Sequence, residues 1–153
     1  MKQRGRVTFS QAGEIFEHSI EYLTHIRELL ETLRDQEHPQ RVKMLLDSFA
    51  LEHRQLLGAI ERYVEDADDR LLNTYSQYAV ELPAELSGPD SPLTTLALTQ
   101  WLQALNQHLA SMFRELAETA KSAELRGGFD ALTQQVESHE RKLSKEYQRF
   151  EDL

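Results

Sequence analysis

Phe49-Ala50-Leu51-Glu52-His53-Arg54-Gln55-Leu56-Leu57 is the stretch on which the reading of this chain turns. Around it, Val42, Leu45, Leu46, Phe49, His53, Leu56, Leu57, Ile60 and Tyr63 recur at three- and four-residue intervals. That is the period of one face of an α-helix. The pattern predicts a helix from about Pro39 to Glu65, with proline pre-set for the first turn. His53 stands in the middle of the apolar face, where an imidazole needs a partner.

Working outward, the preceding segment shows the same period. Phe16, Ile20, Leu23, Ile26, Leu30 and Leu33 predict a helix from Ser10 to Asp35. Thr8 with Gln11 fits a capping box, and Ser10 is a second candidate cap. Glu14, Glu17, Glu21, Glu28 and Glu31 fall on the opposite side, with His18 and His25 beside them, as on a solvated face. The short break at Glu37-His38-Pro39 implies an antiparallel hairpin of these two helices. Downstream, Leu98, Trp101, Leu102, Leu105, Leu109, Met112, Phe113 and Leu116 predict a third helix from Pro92 to Ala120, capped by Ser91. After Gly127-Gly128, a fourth runs from Phe129 to Phe150, with Phe129, Leu132, Val136, Glu140, Leu143 and Tyr147 in line. Glu140 interrupts its stripe as His53 does in the second helix.

Between the second and third helices the chain changes character. Arg70 to Leu82 reads as a short helix, followed by Pro83, Gly88, Pro89 and Pro92. Such a link is longer than bundle neighbours need, and a crossover running back along the bundle uses it. The expected architecture is all-α: residues 1–9 as a basic arm, and residues 10–153 as one four-helix bundle with a short crossover helix between helices 2 and 3.

Composition excludes several function classes. Of 153 residues, 26 are acidic and 17 basic, a formal net charge of −9. That disfavours nucleic acid and anionic lipid, both of which need a basic patch. There is no cysteine, so thiolate metal sites, disulfides and cysteine nucleophiles are ruled out. No apolar run approaches a membrane span, and no h-region follows the basic N-terminus, which makes the cytoplasm the default location. No phosphate-binding loop or nucleophile elbow is present, so an enzyme is not the expected reading.

The two halves of the chain also match each other. At an offset of 87 residues, the difference between positions 140 and 53, Arg54-Gln55-Leu56 falls on Arg141-Lys142-Leu143. Phe16, Leu23, Ile26 and Leu30 fall on Leu102, Leu109, Met112 and Leu116 one residue closer. Counted from the two predicted turns, Tyr22, Glu52, His53, His108, His139 and Glu140 lie at one depth. One explanation is a hydrogen-bonded His53–Glu140 pair filling a core layer. The other is a metal site drawn from His53, Glu140, Glu52, His108 and His139, a donor set that suits iron, manganese or zinc.

Four long helices, a long crossover after the second and two related hairpins resemble the ferritin-like superfamily, to which rubrerythrin and bacterioferritin belong, over residues 10–150. Its functional members supply a Glu from each of two helices and Glu-x-x-His from each of the other two. The second-helix signature reads like Ala-x-Glu-Glu-x-x-His; here it is Ala50-Leu51-Glu52-His53-Arg54-Gln55-Leu56. His53 replaces the ligand Glu and Leu56 the ligand His. In the fourth helix Glu140 keeps the Glu, and Leu143 replaces the His. The first and third helices carry Ser19, Ile20, Leu23, Leu105 and Leu109 where a bridging Glu belongs. The resemblance therefore implies the scaffold with a degenerate centre, and not the family's oxidative chemistry. A hemerythrin-like bundle would want His-x-x-x-Glu in the second helix, where Leu57 stands instead of the Glu. A histidine phosphotransfer domain would want an exposed His-x-x-Lys, which His139-Glu140-Arg141-Lys142 matches. The leading expectation is a non-catalytic accessory bundle without cofactor, acting through its surface, with a protein partner or as a homodimer. A metalloprotein and a phosphotransfer bundle are the rivals.

Overall fold

A computed structural model describes residues 8–78, 87–89 and 92–151. The element order is β1 (Thr8–Gln11), α1 (Ala12–Arg34), α2 (Gln40–Asp66), α3 (Asp69–Leu72), β2 (Tyr75–Tyr78), α4 (Thr95–Thr119) and α5 (Ala123–Glu151). The architecture is all-α, apart from one short ribbon. No helix among the described residues is long and apolar enough to cross a membrane.

The long helices form where the period predicts, but their ends are set by local hydrogen bonds. The expected cap at Thr8 or Ser10 gives way to strand, because β1 pairs antiparallel with β2, Thr8 opposite Tyr78 and Gln11 opposite Tyr75. This draws Thr8 and Phe9 out of the expected arm and into the fold. Glu14 Oε1 then accepts the Gln11 N–H at 3.3 Å, and the Ala12 N–H donates to the Thr74 carbonyl at 2.8 Å. The expected crossover helix from Arg70 shrinks to α3. Asp68 caps it by accepting the Leu71 N–H at 2.8 Å, and β2 takes over at Tyr75. Residues 79–82 of that expected helix lie outside the described residues. The third helix begins three residues later than Pro92. Thr94 caps it, accepting the Ala97 N–H at 3.0 Å, and Ser91 lies outside the described residues.

The fourth helix departs most. It starts at Ala123 rather than Phe129, with Ser122 Oγ accepting the Leu125 N–H at 3.0 Å. Gly127 and Gly128 are therefore interior to α5. The reason lies on α2: a Cβ on Gly128 would overlap the Tyr63 ring, so glycine there opens space for an aromatic side chain.

That ring belongs to the cluster that orients the bundle. Phe16 packs on Tyr63 at 5.1 Å between ring centroids and on Phe129 at 5.3 Å, and Phe129 packs on Phe113 at 6.4 Å. The start of α1, the end of α2, the far half of α4 and the start of α5 thus share one end. Towards the other end, Ser48 meets Glu146 and Glu52 meets Lys142. Helix neighbours run α1–α2–α5–α4, each adjacent pair antiparallel, and α2 and α4 point the same way. The end of α2 and the start of α4 lie at opposite ends of the bundle.

The two glycines give a test. Gly127→Ala meets open space in a helix interior and should stabilise by about 0.5–1 kcal/mol. Gly128→Ala gains the same propensity but displaces Tyr63, and should destabilise by about 1–3 kcal/mol. Urea unfolding of both variants, and of Gly128→Ala combined with Tyr63→Leu, checks this. The double variant should recover most of the loss.

Candidate functional site

Among the described residues the buried polar side chains are Ser19 on α1, Glu52 and His53 on α2, Thr95, Thr99 and Asn106 on α4 and Thr133 on α5, and the carboxylate and imidazole among them are both on α2. Glu52 is 2% exposed and His53 is 4% exposed. Consecutive residues on a helix lie about 100° apart, so their side chains leave α2 in different directions.

His53 faces α1. Its Nε2 lies 2.6 Å from the Leu23 carbonyl, in the geometry of an N–H donor to a carbonyl oxygen. Burial, aided by the nearby charges of Arg27 and His139, pushes the imidazole down to about 4, against the raising effect of the Leu23 bond. His53 is therefore neutral at neutral pH and satisfied by backbone. The expected His53–Glu140 pair does not form. Glu140 is half-buried, because α5 beyond Val136 buries little besides Leu143 and a carboxylate there keeps part of its water.

Glu52 faces α5. Lys142 Nζ lies 3.5 Å from its Oε1, a loose ion pair made by a side chain that is itself 56% exposed. Neither Glu52 oxygen has a hydrogen bond among the described residues. One turn earlier on α2, Ser48 Oγ donates to Glu146 Oε2 at 2.6 Å, placing a second carboxylate beside the first. Burial, reinforced by Glu146 and opposed by Lys142, pushes Glu52 up to about 7. Ser48 and Glu146 were not singled out in the sequence, and Lys142 only as the lysine of the His139-Glu140-Arg141-Lys142 pattern and as a member of the repeat. The signal available was the four-residue step from Ser48 to Glu52 and again from Lys142 to Glu146, which matches once the helices are known to be antiparallel neighbours.

Other predicted residues disperse. His139 is half-buried, its imidazole pushed down by burial and then by Lys142. It is not the exposed acceptor that phosphotransfer needs. His108 is exposed on α4, away from the interior. His18 and His25 are exposed on α1, and Tyr22 is buried with its hydroxyl pushed up to about 12 by burial. Tyr22 Oη and Asn106 Nδ2 have no hydrogen-bond partner among the described residues. Among those residues no three His, Asp or Glu side chains converge on one point as ligands to an ion. An open groove of about 440 Å³ lies elsewhere, at the α1–α2 turn, lined by Glu31, Arg34, Asp35, Lys43, Leu46 and Asp47. Arg34 and Asp47 already neutralise each other there at 3.0 Å.

Compared with protein-family models, curated proteins and solved structures, the chain matches none.

The Glu52 environment sets a pH dependence. A carboxyl raised from 4.5 to about 7 favours folding most below its unfolded value, and the benefit is lost as pH rises through 7. Glu52→Gln removes the titration. Its stability relative to the parent should therefore improve by about 3 kcal/mol between pH 4.5 and pH 8. Urea midpoints of both proteins across that range measure it, and an unchanged difference would contradict the assignment.

Proposed function

We propose that this chain is a ferritin-like bundle whose central layer serves structure, and that it acts as a non-catalytic accessory protein through its surfaces. The observation that carries the reading is that the His53 imidazole is satisfied by the chain's own backbone. His53, at the position the resemblance assigns to a ligand Glu, is bound to the Leu23 carbonyl. Leu56 and Leu143, at the positions of the ligand imidazoles, are buried in the core. The shared direction of α2 and α4 supports the scaffold half of the reading. A link between opposite ends of a bundle is the topology of ferritin-like folds.

Metal binding is the second reading, and the unsatisfied carboxylate of Glu52 favours it. A buried, poorly paired carboxylate is a hard oxygen donor, and His139 stands on the facing helix. The residues present do not supply a third converging ligand among the described residues.

The experiment is metal analysis of the untagged protein, purified without chelator, before and after anaerobic addition of ferrous, manganous or zinc ions. The structural reading expects no stoichiometric ion held by the central layer. It also expects His53→Leu to fold with a stability change within about 1 kcal/mol, since the Leu23 carbonyl keeps its helical partner. Near-stoichiometric metal that disappears in His53→Leu or Glu52→Gln would overturn it and establish the metalloprotein.

A further inference from the structure

Helix α5 has two unlike halves. Up to Val136 it buries Leu125, Phe129, Leu132, Thr133 and Val136, and Phe129 joins the ring cluster. From Glu137 to Arg149, Leu143 is the one buried side chain. Yet this second half covers most of the unsatisfied polar atoms of the interior. Among the described residues, the buried side-chain atoms without a hydrogen-bond partner are Tyr22 Oη, both oxygens of Glu52, Thr99 Oγ1 and Asn106 Nδ2. Glu52 lies on the flank of α2 that meets Lys142. Arg114 meets Glu137 at 3.2 Å, and this antiparallel register sets the half of α4 before Arg114 beside the half of α5 after Glu137. Thr99 and Asn106 belong to that half of α4. They turn toward the flank that carries Arg114, about 60–80° from it around the helix. Tyr22 alone stands apart, on α1, which is not a neighbour of α5 in the order α1–α2–α5–α4.

We propose that residues 137–149 form a strap that lifts from α2 and α4 while the rest of the bundle stays folded. Lifting gives up the burial of Leu143 and the Ser48–Glu146 hydrogen bond. It returns water to Glu52, Thr99 and Asn106, whose desolvation is uncompensated while the strap is closed. It also parts the Glu52 and Glu146 carboxyls. Lys142, 56% exposed and 3.5 Å from Glu52, adds little to hold the strap down. The first half of α5 stays seated, because Phe129 is stacked between Phe16 and Phe113. A segment with few buried apolar groups beside a firmly packed one is the pattern of local opening. What the opening bares is the Glu52 flank of α2 and the seat of Leu143. The inference stands apart from the ferritin-like reading, since it needs only the packing of α5 on its two neighbours.

Hydrogen exchange of the full chain, read by peptide mass spectrometry across low urea concentrations, tests this. Amides of residues 138–149 should exchange roughly a hundredfold faster than those of residues 126–136, and with little dependence on urea, because a local opening exposes little surface. Thr99→Val and Glu52→Met each remove an unsatisfied group beneath the strap and should slow its exchange roughly tenfold. Tyr22→Phe removes one elsewhere, acts on global unfolding alone, and should leave the rates of residues 138–149 unchanged. Equal rates with equal urea dependence in the two halves would overturn the proposal. So would a Tyr22→Phe variant that slows the strap as much as Thr99→Val and Glu52→Met do. Strap rates indifferent to all three variants would also overturn it, as they would report only the fraying of a helix end.

Discussion

The antiparallel register of α2 on α5 is the constraint from which the rest of the bundle follows. It is fixed at two separated points. At one end Tyr63 occupies the space that Gly128 leaves open, and rests on Phe16. Further along, Glu52 faces Lys142 and Ser48 faces Glu146. Shifting α5 by one residue would rotate it by about 100° and lose both. With these helices locked, Phe129 serves α1 and α4 together, since its ring stacks on Phe16 and on Phe113. The hairpins then meet through shared rings and a partly buried polar seam.

Much of this was legible in the chain. The stripe around His53 locates α2 to within a residue at each end, because a 27-residue helix with a continuous apolar face leaves little room for another periodicity. What the periodicity lacks is the thickness of the cover over each stripe. Glu140 and His53 hold equivalent places on their helices. His53 lies beneath α1, whereas Glu140 lies where the bundle thins. Glu52 sits off the centre of its stripe but is buried, because α5 packs on that flank of α2.

The breakers misled where their role was tertiary. Gly127-Gly128 carries the composition of a turn, yet only one of the two is needed for packing and neither ends the helix. Pro92 suggests a helix start, but Thr94 offers a hydroxyl that caps the next turn. The direction of α4 was open in the sequence, since both directions bury the same stripe. It is decided by Phe113, whose ring joins the cluster at one end of the bundle.

Glu52 and His53 are chain neighbours with opposite displacements, one up to about 7 and the other down to about 4. Between pH 4.5 and 6.5 the unfolded chain carries a carboxylate and an imidazolium at these positions. The folded chain carries a carboxylic acid and a neutral imidazole. Folding therefore binds one proton at Glu52 and releases one at His53, the equivalent of a proton handed from base to acid along the backbone. The chain admits two ionisable groups to its interior as a neutral couple, and over that range the two proton exchanges cancel. Acidity between these limits leaves the balance between folded and unfolded chain almost untouched by the pair, although each member alone would make it pH-sensitive.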